Sequence, residues 1–96
     1  MIYNFANSLV EDFFYKDITP KRAGWVNLSS IVRRKLAMLN AAKLLGDLKS
    51  PPSNRLESLS GYYKGFYSIR VNDQWRVIFK WSDQFGPSEV DIVDYH

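Results

Sequence analysis

Three ionisable side chains close the chain, Asp94, Tyr95 and His96, and cations recur shortly before them at Arg70, Arg76 and Lys80. His96 is the lone histidine, and imidazole is the side chain whose ordinary pKa lies near neutrality, which suits it to general acid or base work. A guanidinium keeps its charge at every relevant pH and can hold two oxygens of an anion at once, so Arg76 is a candidate clamp. In an ideal strand Asp94 and His96 share one face and Tyr95 takes the other, so a common site for all three requires the tail to curl. The plain alternative for these terminal residues is a frayed, solvated end.

These groups need strands to position them. Residues 65–81 read as two strands joined at Asn72-Asp73, a pair that suits the positive φ of a tight hairpin turn. Alternation points Tyr67, Ile69 and Val71 one way, and Phe66, Ser68 and Arg70 the other. On the second strand Trp75, Val77, Phe79 and Trp81 make an unbroken apolar face opposite Arg76, Ile78 and Lys80. One side must therefore be covered by something apolar, with both tryptophans core residues, while the other shows cations to solvent or a ligand. That open, basic side is where function is expected. A turn at residues 84–88 precedes the final strand, and residues 55–59 alternate as a short strand would.

The apolar cover comes earlier in the chain. Leu28, Ile31, Val32, Leu36, Leu39, Ala42 and Leu45 recur at helical spacing, with Asn27 or Ser29 as cap and Gly46 placed to close the helix in a left-handed conformation. Arg33, Arg34 and Lys43 fall on its outer side with Lys35 near the boundary, a cluster that is either a solvated face or a phosphate contact. A first helix follows the cap oxygens of Asn7 and Ser8, burying Leu9 and Phe13 with Val10 and Phe14, and ends before Pro20. Met1 to Phe5 is either an edge strand or a tail. Consecutive prolines make residues 48–54 a loop. Helices first and an antiparallel sheet second spell an α+β domain.

The totals bound the function. At 96 residues this is one domain, 1–96, and 46% hydrophobic content argues for a packed globule. A net charge of +3 favours an anionic partner. Without cysteine there is no disulfide, thiolate metal site or cysteine nucleophile, and one histidine leaves little for zinc. No apolar run approaches the roughly 20 residues of a membrane span. The start lacks the features of a signal peptide, so a cytoplasmic protein is expected, with no membrane partner.

Arg55-Leu-Glu-Ser-Leu-Ser-Gly61, Gly65-Phe-Tyr-Ser-Ile-Arg-Val-Asn-Asp-Gln-Trp-Arg-Val-Ile-Phe79 and Val93-Asp-Tyr-His96 occur in that order. Together with Arg34-Lys-Leu-Ala-Met-Leu-Asn-Ala-Ala42 they resemble the HigB branch of the RelE/ParE toxin superfamily. The resemblance spans essentially the whole chain, and its specificity lies in the ordered combination. It implies two N-terminal helices packed on one face of a mostly antiparallel four-stranded sheet, with a short N-terminal edge strand. It also implies the toxin of a type II toxin–antitoxin pair: a ribosome-dependent mRNA interferase that uses no metal and no organic cofactor. The implied partners are the ribosome, mRNA and a HigA-like helix-turn-helix antitoxin, with operator DNA reached only through that antitoxin.

Under this resemblance the catalytic candidates are Arg76, Asp94, Tyr95, His96 and Glu57, and the RNA-binding candidates are Arg70, Arg55, Lys64, Arg33 and Arg34. Some relatives carry a histidine where Glu57 stands and a lysine where Ser60 stands. Glu57 is then either a replacement base or a surface carboxylate paired with Arg55 or Arg70. The expectation is a weak or altered nuclease. Two alternatives differ in class: a ParE-like inhibitor of DNA gyrase that cuts no RNA, and an inactive relic that acts only through its antitoxin.

Overall fold

The computed structural model describes residues 1–95. Two helices, α1 (Ser8–Lys16) and α2 (Ser29–Ala41), precede four strands: β1 (Glu57–Ser58), β2 (Tyr67–Arg70), β3 (Trp75–Ser82) and β4 (Gly86–Asp94). The strands form one sheet in the order β1-β2-β3-β4, every neighbour antiparallel. Met1 to Phe5 runs along the outer edge of β4 but joins it through a single parallel bridge, Phe5 with Val90, and so falls short of the expected edge strand.

The strand faces follow the alternation. Ile69, Val71, Val77, Phe79, Val90 and Ile92 share one core with Val10 and Phe13 of α1 and with Val32, Leu36 and Leu39 of α2. Trp75 and Trp81 pack against that core half-buried, and Trp75 leaves no room for a Cβ on Gly24. Removing such surface from water contributes roughly 25 cal/mol per Å², the main drive for the two layers to meet. Among the described residues no helix is long and apolar enough to cross a membrane.

Local signals failed where a distant contact outbid them. Asn7 caps α1 as expected, its Oδ1 accepting from the Leu9 N–H at 2.9 Å. Leu9 itself is exposed, because Val10 and Phe13 carry the buried stripe. Neither Asn27 nor Ser29 caps α2, which grows directly out of a 3₁₀ turn at Val26–Leu28. Gly46 does not end α2 either: the chain leaves at Ala42 in an extended conformation, which puts Ala42 and Leu48 into the core. Asp47 secures the next turn by accepting from the Lys43 and Leu44 N–H groups, both at 3.0 Å. These two bonds hold its carboxyl below the usual range.

The hairpin is also looser than expected. Its connection runs over residues 71–74, and neither Asn72 nor Asp73 has positive φ. Instead the Asn72 side chain accepts from the Gln74 and Trp75 N–H groups at 2.9 and 2.7 Å, an Asx turn that replaces the tight one.

Candidate functional site

The sheet face away from the core gathers the candidate chemistry. Arg70 and Arg76 stand directly opposite each other in register, and Glu57 pairs with Ser68 on the neighbouring strands. Arg76 Nη1 donates to Ser68 Oγ at 3.0 Å and to the Arg55 carbonyl at 3.4 Å, while Nη2 reaches Glu57 Oε1 at 3.5 Å. The Arg76 side chain is only 14% exposed against 43% for Glu57, so the cation is seated and the carboxylate is reachable. Arg70 is paired with Asp73, whose carboxyl is held below its ordinary value by that hydrogen bond and charge.

A second, buried layer fixes the Arg55 carbonyl. Lys35 is not at the boundary of α2 but buried, donating to Asn54 Oδ1 at 2.6 Å. Asn54 Nδ2 donates in turn to the carbonyls of Leu48 and Ser50, at 3.1 and 3.3 Å. Burial lowers the Lys35 pKa from 10.5, and the charges of Arg34 and Arg70 lower it further. Arg55 then takes a left-handed conformation, φ 48°, and its carbonyl meets Arg76. Sequence reasoning missed Lys35, Asn54 and Ser68. Lys35 sits four residues after Ile31 and four before Leu39, inside the apolar stripe, and that spacing was the available signal.

The face is less open than alternation suggested. Ser68 and Ile78 are buried, and the 3₁₀ turn Gly61–Tyr63 stands over this side. Its Tyr63 ring lies 6.2 Å from Phe66 and 6.0 Å from Tyr95, which brings Tyr95 to the Arg76 side of the sheet. Gly61 and Gly65, at φ 64° and 95°, let the chain enter and leave the turn. Lys64 is exposed just after it.

Other candidates lie apart. Asp94 is opposite Trp75 in register, whereas Arg76 is opposite Val93, so Asp94 belongs to the core-side series of Val90 and Ile92. It accepts from Gln74 Nε2 at 2.9 Å. Arg33 pairs with Asp17 and lies 4.6 Å over the Phe13 ring, and Arg34 is exposed on the same helix. His96 lies outside the described residues. Among the described residues there is no group of three or more His, Cys, Asp or Glu that could hold a metal ion.

The sequence matches known proteins along most of its length. A family model described as the RelE-like toxin of type II toxin–antitoxin system HigB matches residues 3–96. Toxin HigB-1 of Vibrio cholerae serotype O1 is 42% identical over 83 residues, covering 86% of this chain and 86% of that protein. An uncharacterized protein of Haemophilus influenzae is 46% identical over 57 residues, covering 59% of this chain and 56% of its own length.

Proposed function

Because the chain belongs to the HigB family of RelE-like toxins from type II toxin–antitoxin systems, we propose that it is a ribosome-dependent mRNA endonuclease. It acts in the cytoplasm on message in the ribosomal A site, and a HigA-like helix-turn-helix antitoxin holds it inactive and carries it to operator DNA. The supporting observation is the seated guanidinium of Arg76, aimed by Ser68 and the Arg55 carbonyl and only loosely engaged by Glu57.

The reaction is an internal transfer. The RNA supplies its own nucleophile: the 2′-OH attacks the adjacent phosphorus, the bond to the 5′-oxygen breaks, and that oxygen takes up a proton. Arg76 holds the non-bridging oxygens and stabilises the charge that develops on them. Glu57, beside the same guanidinium, takes the 2′-OH proton, and His96 delivers one to the leaving oxygen. Tyr95, on the Arg76 side of the sheet, stacks against a flanking base. Arg70, Arg55 and Lys64 guide the strand across the face, and Arg33 and Arg34 meet ribosomal phosphates.

Mapping message ends in a reconstituted translation system tests this reading. Wild-type protein is expected to cut within A-site codons. Arg76→Ala is expected to lose at least ~100-fold in rate with its circular dichroism unchanged, and removal of His96 is expected to do likewise. Full toxicity of both variants, or DNA damage with intact message, would overturn it.

A further inference from the structure

Where the start of α1, the chain between the helices and the core side of the sheet meet, a cavity of about 460 Å³ opens to the surface. Val10, Pro20, Trp25, Trp75 and Ile92 make its walls, and Lys21 and Arg22 stand exposed at its mouth. Trp75 precedes Arg76 on β3 and points to the opposite face, so this cavity lies across the sheet from the Arg76 cluster. Its volume is that of a small-ligand pocket, and apolar walls with a few polar groups are the usual composition of one. The walls stand ready-made. Phe13 meets the Trp25 ring edge to face at 5.0 Å, and Gly24, which has no room for a Cβ, lets the loop close on the Trp75 ring.

The unused polar side chains here are all donors. Trp25 is only 4% exposed, yet its indole N–H donates to no acceptor among the described residues. No buried side-chain nitrogen among those residues lacks a partner, so this N–H touches open space, and the cavity is the space that Trp25 lines. The Trp75 indole N–H is likewise unused. Trp81, which does not line the cavity, differs: it donates to Asp83 Oδ1 at 3.3 Å. Lys21 and Arg22 have no carboxylate partner among the described residues. Asn7 is the one described lining residue with a side-chain acceptor, and its Oδ1 already accepts from the Leu9 N–H at 2.9 Å. A ligand that came with donors or positive charge would find no free side chain to accept them. One that brings acceptors and negative charge meets four donors.

We propose that this cavity binds a small organic carboxylate, its apolar body held between Trp25, Trp75 and Ile92 and its carboxylate at Lys21 and Arg22. Burying the body against the indole rings supplies the attraction. The cations at the mouth then favour the acid over an uncharged molecule of the same shape.

The test is titration of the full chain with phenylpropionate, with phenylpropanol and with inorganic phosphate, following the three indole N–H resonances by NMR. Phenylpropionate is expected to move the Trp25 and Trp75 resonances and leave that of Trp81 in place. Phenylpropanol should bind several-fold more weakly, and phosphate alone should move neither resonance. Replacing both exposed cations, Lys21→Ala with Arg22→Ala, is expected to weaken phenylpropionate roughly tenfold and leave phenylpropanol unchanged. Indole resonances that stay fixed up to the solubility limit of phenylpropionate would overturn the site. Equal affinity for the acid and the alcohol, or unaltered acid binding in the double variant, would overturn it as well. So would phosphate moving the two resonances as far as phenylpropionate does. Resonances that respond only to an added antitoxin would give the cavity to a protein partner and overturn the proposal. None of these outcomes depends on whether the protein cuts message.

Discussion

Glu57 and Arg76 face each other across 3.5 Å, longer than the 2.7–2.9 Å or so of a good charge-assisted bond. With Glu57 almost half exposed, such a pair is worth about 0–1 kcal/mol, so an arriving phosphate can displace the carboxylate without a large penalty. The displaced Glu57 then sits next to the bound diester, where a base is required. Glu57→Gln keeps the shape and the hydrogen bond but removes the basic oxygen. Its cleavage rate on ribosomes is expected to fall by roughly 10²–10⁴-fold. A rate that rises instead would identify Glu57 as a brake on Arg76. Arg76 and Arg70 could be assigned their side of the sheet from residue alternation. The partners of Arg76 could not, because Ser68 and the Arg55 carbonyl reach it across neighbouring strands.

Between α2 and β1 the chain must be pinned, or the Arg55 carbonyl would wander from Arg76. Asn54 does the pinning from its buried position, bonded to Lys35, Leu48 and Ser50. Asn54→Ala leaves a buried ammonium and two carbonyls without partners, and is expected to destabilise the fold by about 2–3 kcal/mol in urea unfolding. Lys35→Met retains most of the apolar stem and is expected to cost about 1 kcal/mol. The pH dependence separates the two residues further. Because the folded-state pKa of Lys35 lies below 10.5, the unfolded chain binds more protons in the interval between them, and stability rises with pH across it. The wild type should therefore gain on Lys35→Met as pH climbs towards 10.5, read as the difference between their unfolding curves. The ends of α2 show the same competition between local and distant contacts. Capping residues and a glycine were present, yet burial of Ala42 and Leu48 set where the helix stops.

Across the whole molecule, α1 and α2 share their core with one face of the sheet, and the Arg76 cluster with its aromatic turn occupies the other. The cations are correspondingly unequal. Arg33 is engaged by Asp17 and the Phe13 ring, whereas Arg76 is held by Ser68 and Glu57 on the sheet. Single-stranded RNA binding, followed by fluorescence anisotropy from about 50 to 200 mM salt, is expected to weaken with each phosphate contact contributing about −0.7 to the log–log slope. Arg76→Ala should flatten that slope by about one such increment, and Arg33→Ala should leave it unchanged. The α+β order, the two faces of β2 and β3 and the ordered motifs of the HigB family were all readable from the chain, since each depends on neighbours within a few residues. The burial of Lys35 against Asn54, the aromatic turn over the basic face and the separation of Asp94 from Arg76 arose only on folding. Each is set by strand register or by packing between segments far apart along the chain, and local periodicity carries no record of such pairings.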